Sequence, residues 1–115
     1  MEWQGAGVSP EEIVQKPNEI IVYPNPLIPN SLRDGQAKIL WLGEQISEGM
    51  EFVIFNIKGQ KVRCIPGTTK LRGGKFQASW NLLDNEGLKV SSGIYFIRVK
   101  ADDIYLAQRK ITVIR

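Results

Sequence analysis

Glycine and proline punctuate the whole chain, which contains 11 Gly and 6 Pro among its 115 residues. That is about one turn-forming residue in every seven. Glycine adopts positive φ without steric cost, and proline cannot donate a backbone hydrogen bond. The stretches between them suit strands of about five or six residues better than helices. The spacing therefore predicts a single all-β domain.

Seven runs lie between these turns and are rich in the β-branched and aromatic residues that strands favour. They are Ile20–Tyr23, Ala37–Leu42, Glu51–Ile57, Gln60–Ile65, Lys75–Trp80, Ile94–Lys100 and Ile104–Ile114. The run that starts at Glu51 is apolar on both faces, which is typical of a central strand. About seven short strands without helices predict an immunoglobulin-like antiparallel β-sandwich.

Local chemistry adds three expectations. Trp80 alternates with polar residues at the end of its strand, so we expect it to be a core anchor. Lys58-Gly59 is a two-residue connection and predicts a primed hairpin turn, with the Asn56 side chain hydrogen-bonded to the turn backbone. The stretches Pro66–Thr69 and Arg72–Gly74 are expected to flank a loop.

Residues 1–19 show neither the two-residue period of a strand nor a sustained helical period. Their prolines, at positions 10 and 17, stand among polar residues, as in a linker. We therefore expect an interdomain linker at 1–19 and a folded module at 20–115, which together form a fragment of a larger precursor. No run approaches the roughly 18 apolar residues of a membrane span, and the first residues lack a signal-peptide pattern. A secreted protein would therefore carry its export signal upstream.

The chain has no His and a single Cys, Cys64. Without His, the common acid–base machinery and nucleophile triads are excluded. We therefore expect no enzyme activity, no cofactor and no metal. Cys64 is expected to be a buried structural thiol on the same face of its strand as Val62. The acidic groups at 84–86 and 102–103 match no calcium loop and are expected to form turns.

The formal net charge is +3, too small for a nucleic-acid-binding arm, so we expect no nucleic-acid partner. All charged residues between Glu51 and Asp84 are basic. This leaves open a solvated sheet face or an anion-binding surface. The alternation of Lys61 and Arg63 with apolar residues favours the solvated face.

Trp and Tyr side chains can stack on sugar rings or nucleobases. Trp80 and Tyr95 lie within alternating strands, where core positions are expected. Trp41 remains as a candidate sugar-stacking residue, because Leu40 and Leu42 occupy the opposite face of its strand.

Four motifs follow one another along the chain. They are Val22-Tyr23-Pro24-Asn25-Pro26, Asn56-Ile57-Lys58-Gly59, Ser92-Gly93-Ile94-Tyr95 and Lys110-Ile111-Thr112-Val113. This series resembles, over residues 20–115, the C-terminal sorting domain of proteins exported by the bacterial type IX (Por) secretion system. That family has Asp where this chain has Asn56. The stretch from Trp80 to Phe96 is also similar to the immunoglobulin-like domain of the flagellar hook-capping protein, which usually has Trp-Asp-Gly in place of Trp80-Asn81-Leu82.

The resemblance implies a non-catalytic module that directs an upstream cargo domain across the bacterial outer membrane. The protein would be secreted or held at the cell surface, after passage through the periplasm. Its implied partners are the outer-membrane translocon, sortase-like processing machinery and the cargo domain in cis. The residues assigned to translocon recognition are Gly93, Tyr95, Lys110, Ile111, Val113 and Arg115. The residues assigned to structural turns are Pro24, Asn25, Pro26, Asn56 and Gly59.

Other classes stay open. One is a structural or carbohydrate-adhesive immunoglobulin-like module of a secreted multidomain enzyme, and another is a flagellar cap component. A sorting module must end the natural protein, whereas an accessory module need not. The last strand, Leu106 to Arg115, would display its backbone to a partner if it lies at a sheet edge. Pairing of two copies through an unprotected edge also stays open.

Overall fold

A computed structural model of the chain describes residues 18–32, 34–43, 49–69 and 76–115. Eight strands and one turn of 3-10 helix, Pro29–Ser31, lie in these ranges. The strands are β1 (Ile20–Tyr23), β2 (Ala37–Trp41), β3 (Glu51–Asn56), β4 (Lys61–Pro66), β5 (Thr68–Thr69), β6 (Phe76–Trp80), β7 (Gly93–Ala101) and β8 (Ile104–Val113). The linker predicted at 1–19 lies outside the described residues except for its last two positions.

The strands form two antiparallel sheets that pack as a sandwich. The first sheet has the order β1-β2-β6-β5 and the second has the order β4-β3-β7-β8. This is the strand order of an immunoglobulin sandwich in which β4 is added beside β3. The predicted all-β, immunoglobulin-like fold is confirmed, and the structure contains a strand in each of the seven predicted runs.

The additional strand, β5, corrects one expectation. Thr68 and Thr69 pair with Gln77 and Phe76 of β6, so a stretch predicted only to flank a loop contributes an edge strand to the first sheet. Within the described residues, no helix is long and apolar enough to cross a membrane.

The core lies between the sheets and is built from large apolar side chains. Trp41, Trp80 and Phe52 are each at most 1% exposed. Phe52 meets Phe76 of the opposite sheet at a ring-centroid distance of 5.3 Å. Burial of each such side chain stabilises the fold by about 2–3 kcal/mol. The core position predicted for Trp80 is confirmed, whereas the sugar-stacking role considered for Trp41 is wrong, because its ring lies in the core.

Strand β3 is central to the second sheet, and its residues Phe52–Phe55 are all buried. Phe52 and Ile54 belong to the core. Val53 and Phe55 alternate with them and face outward, where the Arg98 guanidinium lies 4.6 Å from the centre of the Phe55 ring. The outer face of β3 is thus covered by a long side chain of its own sheet, as expected for a central strand that is apolar on both faces.

The register of β4 against β3 shifts between Ile54 and Phe55. After this bulge Val62 packs against the core, whereas Cys64 pairs with the outward-facing Val53 and is only half-buried. Two expectations are therefore wrong: Cys64 does not share a face with Val62, and its thiol is not fully buried. A bulge inserts one extra residue, so the side chains that follow it point to the opposite face from the one that simple alternation predicts. The sequence alone does not reveal the bulge.

Arg63, expected on a solvated face, is half-buried instead. Its guanidinium donates to the Leu83 carbonyl at 3.0 Å and to Asn81 Oδ1 at 3.1 Å. The side chain therefore ties β4 to the connection that follows β6.

Two turns of the second half of the molecule share one hydrogen-bond pattern. Asn56 Oδ1 accepts from the backbone N–H groups two and four residues later, at 2.9 and 3.0 Å. Asp84 Oδ1 accepts from the equivalent N–H groups, at 2.9 Å each. Gly59 and Gly87, three residues after the Asx residue, have φ of 84° and 85°. Each turn therefore needs both a side-chain acceptor and a glycine.

This geometry confirms the predicted role of Asn56 and corrects the predicted turn type. Among the described residues, the non-glycine positions with positive φ are Leu82 and Asp102, so neither Ile57 nor Lys58 adopts a primed-turn conformation. The Gly59 N–H donates to the Asn56 carbonyl at 2.9 Å, which closes an ordinary turn, and Gly59 follows as a left-handed residue. This is a three-residue hairpin connection.

Leu82 stands where the flagellar family has glycine, and its φ is 64°. A leucine in this left-handed region costs about 1–2 kcal/mol relative to its preferred conformations. Its side chain, however, is 2% exposed and packs in the core. Burial of a leucine contributes a comparable or larger amount, which offsets the strain.

We expect Asn56→Ala to lower the free energy of unfolding by about 1–2 kcal/mol, because two backbone N–H groups lose their acceptor. Asn56→Asp retains that acceptor and should stay within about 0.5 kcal/mol of the wild type. Urea denaturation followed by tryptophan fluorescence measures both. Equal losses in the two variants would show that the side-chain oxygen does not stabilise the turn.

Candidate recognition surface

The motifs identified in the sequence meet at one end of the sandwich. Asn56, the last residue of β3, pairs with Tyr95 near the start of β7. Gly93, the first residue of β7, pairs with Val113 at the end of β8. Leu27, just after the proline motif, forms a parallel bridge to Val113. We call this region, from the Asn56 turn to the Leu27 bridge, the motif end.

Tyr95 organises the motif end from inside the core. Its hydroxyl donates to the Ser91 carbonyl at 2.7 Å, four residues earlier, in the arrangement known as a tyrosine corner. Its ring meets Trp80 edge-on at a centroid distance of 6.2 Å. Trp80 Nε1 donates to the Leu83 carbonyl at 2.9 Å. The two rings therefore hold both ends of the connection 81–92.

Arg115 is tied back to the same connection. Its backbone N–H donates to Ser92 Oγ at 2.9 Å, and its Nε donates to the Val90 carbonyl. The last residue thus contacts the Ser-Gly-x-Tyr motif directly, although the two are far apart in sequence.

The structure divides the predicted recognition residues into two groups. Tyr95, Ile111 and Val113 have buried side chains. A partner can contact these residues only through their backbone, or respond to the shape that they give the fold. Lys110 and Arg115 are exposed, and Gly93, which has no side chain, is half-buried. The recognition role itself stays a prediction for all six residues.

The turn residues of the family motif are also accessible. Pro24, Asn25 and Pro26 are exposed, and both of the peptide bonds that precede these prolines are cis. The segment bends the chain between β1 and Leu27, as expected for a structural turn.

An open groove of about 470 Å³ lies between the two Asx turns at the motif end. Its lining residues include Lys61, Asp84, Glu86, Lys89 and Tyr95. Cations and carboxylates alternate around it, so it selects for neither a strong anion nor a strong cation. Within the described residues, no group of three or more His, Cys, Asp or Glu is arranged to hold a metal ion.

Asn85 has a role that the sequence analysis missed. Its backbone N–H donates to the Val62 carbonyl at 2.9 Å, and its Oδ1 accepts from the Cys64 N–H at 3.1 Å. One residue thus satisfies two groups on the free edge of β4 and covers part of that edge, as a short strand would. The turn signal of the sequence predicts Asn85 in a turn, but gives no sign of which strand the turn lies against.

The outer face of the first sheet carries a local ion pair. Lys38 Nζ lies 3.0 Å from Asp34 Oδ2, and this hydrogen bond lowers the pKa of the exposed Asp34 carboxyl below its usual value. The charge of Lys38 is therefore already matched by a neighbour.

The same fold occurs in a solved structure of PorZ, described as an essential bacterial surface component of the type IX secretion system of Porphyromonas gingivalis. The TM-score is 0.59 and the sequence identity is 23%. The match covers 84% of this chain and 11% of PorZ. No protein-family profile and no curated protein sequence matches the chain. The likeness to PorZ establishes a shared fold.

We expect Tyr95→Phe to lower the free energy of unfolding by about 1–1.5 kcal/mol, because the buried hydroxyl no longer satisfies the Ser91 carbonyl. Tyr105→Phe, at an exposed residue, is the matched control and should change stability by less than about 0.5 kcal/mol. Thermal and urea denaturation measure both variants. A Tyr95→Phe variant as stable as this control would contradict the structural role of the hydroxyl.

We expect Asn85→Ala to expose the β4 edge. Amide hydrogen exchange at Cys64 should accelerate, because its N–H loses the Asn85 acceptor, while exchange in β7 should stay unchanged. Glu86→Ala, one residue along the same turn, is the control. Unchanged exchange at Cys64 would mean that the edge is protected by something other than Asn85.

Proposed function

We propose that residues 20–115 form a non-catalytic sorting module that directs an upstream cargo domain through a type IX secretion system. The observation that carries the proposal is the meeting of the motifs at the motif end, where Arg115 donates to Ser92 and Val90 and the Tyr95 hydroxyl donates to Ser91 of the same connection.

The fold shared with part of PorZ supports the same proposal. PorZ is described as a surface component of such a system, and the shared fold extends over most of this chain. A sandwich of this kind presents a folded surface, and the sequence contains no His, which suits recognition better than catalysis. The partners we propose are the outer-membrane translocon and sortase-like processing enzymes, with the cargo in cis and the cell surface or medium as destination.

The burial of two of the assigned recognition residues limits which groups a translocon can contact. Because Ile111 and Val113 lie in the core, a partner recognises the exposed side chains of Lys110 and Arg115, the backbone of β8, or both. The carbohydrate-adhesive alternative loses Trp41 as a stacking residue, because its ring is buried.

The test uses a reporter protein that carries a periplasmic export signal and is fused upstream of residues 20–115, in a bacterium with a type IX system. We expect the reporter at the cell surface and in the medium, and in the periplasm when residues 20–115 are removed. Fractionation and immunoblotting measure its distribution. An equal distribution with and without the module would overturn the proposed function.

Two further fusions separate recognition from folding. Removal of 110–115 should trap the reporter in the periplasm, but it also removes core residues. Lys110→Ala with Arg115→Ala removes two exposed charges, leaves Ile111 and Val113 in place, and should reduce export while the purified module keeps its thermal midpoint within a few degrees. Lys100→Ala, at the end of β7 that lies away from the motif end, is the control.

A further inference from the structure

Strand β8 forms the outer edge of the second sheet and pairs with β7 on its inner side. On its outer side the Thr112 carbonyl accepts from the Leu27 N–H at 2.8 Å, and the Ile114 N–H donates to the Leu27 carbonyl at 2.9 Å. Backbone groups of alternate residues point to the same side of a strand. The N–H and C=O groups of Gln108 and Lys110 therefore also point outward, and they have no backbone partner among the described residues.

Leu27 demonstrates that this edge accepts a strand. It pairs with β8 in parallel fashion at a single residue. The preceding residue, Pro26, has no N–H and cannot continue the ladder. The chain thus begins a ninth strand on β8 and leaves the rest of the edge, toward Gln108, unpaired within the described residues.

The outer face beside this edge is basic. One row of paired residues crosses all four strands of the second sheet in the order Lys61, Phe55, Phe96, Lys110. A cation therefore stands at each end of the row, with two aromatic rings between them. The carboxylate that this face carries within the described strands, Glu51, lies two rows away, paired with Lys100.

Arg98 lies in the next row and is held in a fixed orientation. Its guanidinium carbon is 4.6 Å from the centre of the Phe55 ring and 5.3 Å from that of Tyr105. Its Nε donates to Gln108 Oε1 at 2.7 Å. The two terminal nitrogens have no partner among the described residues. A guanidinium fixed in this way is pre-organised to receive a carboxylate through two parallel hydrogen bonds.

We propose that the outer edge of β8, from Gln108 to Lys110, binds an extended acidic segment of a partner protein as an added strand. The segment's backbone pairs with the outward groups of Gln108 and Lys110. Its alternate side chains, on the outer face, place carboxylates near Arg98 and Lys110. Backbone pairing supplies affinity, and the charges supply selectivity.

A second copy of this chain fits the edge poorly. In antiparallel self-pairing around this stretch, Lys110 of one copy would lie close to Lys110 of the other, and like charges on paired strands are destabilising. Arg109 is already paired with the Glu19 carboxylate at 3.6 Å. Lysine on an edge strand is a common protection against self-association. The same charges favour a segment of opposite sign.

The inference rests on the proposed function only in assigning the partner to the export machinery. Binding is tested on the purified 115-residue chain with a seven-residue peptide, Glu-Thr-Glu-Val-Glu-Thr-Glu, blocked at both ends, and with the same peptide carrying Gln for each Glu. We expect saturable binding of the acidic peptide by calorimetry, weakened at about 1 M salt, where charges are screened within about 3 Å. The Gln peptide should bind at least about tenfold more weakly.

Variants locate the site. Arg98→Gln combined with Lys110→Gln should weaken binding of the acidic peptide about tenfold or more. Lys38→Gln, which removes the same kind of charge from the outer face of the first sheet, should leave it within about twofold. Equal weakening by Lys38→Gln would show that net charge alone governs binding and would overturn the inference.

Amide exchange tests the added strand itself. The peptide should slow exchange at Gln108 and Lys110, whose N–H groups point outward, and leave the already paired amides of β7 unchanged. Binding without this protection would overturn edge pairing. A concentration-dependent dimer in sedimentation velocity, dispersed by the peptide, would assign the edge to a second copy and also overturn it.

The fusions described above separate this inference from the proposed function. If export requires residues 20–115 but is unaffected by Arg98→Gln with Lys110→Gln, the sorting role stands and the β8 edge is not the surface used. If export is independent of residues 20–115, the sorting role fails, while the peptide measurements still decide whether the edge binds acidic segments.

Discussion

The edge-on contact between Trp80 and Tyr95 is the interaction on which the motif end depends. It joins the two sheets, and the polar atom of each ring holds one end of the connection 81–92. That connection covers the β4 edge through Asn85 and receives Arg115 through the Val90 carbonyl. Core packing and surface presentation are therefore coupled here, because the groups that a partner would meet are positioned by two buried rings.

The edge strands of the second sheet differ in how many of their outward backbone groups are hydrogen-bonded. This difference indicates where a partner strand could add. The β4 edge is partly satisfied by Asn85, and the end of β8 is satisfied by Leu27. The middle of β8 has no backbone partner among the residues that the structure describes, and the exposed Lys110 lies on it. Open edges attract other strands, so an edge that is unpaired but charged is selective rather than inert. Its positive charges repel the same edge of a second copy of the chain and attract a segment of negative charge.

The sequence predicts best what is decided locally. Alternation and turn residues locate all seven predicted strands, and the side-chain acceptor of Asn56 identifies its turn. The turn type is missed, because a glycine in the sequence does not reveal whether positive φ falls on the second or the third turn residue. The positions of Arg63, Cys64 and Asn85 are missed for a different reason. Each depends on a bulge or on contacts about 20 residues away, which no local pattern encodes.

The bridge between Leu27 and Val113 joins residues near opposite ends of the folded module. Closing so long a loop is entropically unfavourable and is repaid only when the intervening strands are in place. Since β8 follows the other described strands in the chain, the bridge of Leu27 to Val113 and the hydrogen bonds of Arg115 form only after those strands have been synthesised. A chain that stops before β8 therefore lacks the motif end, however well its earlier strands are formed.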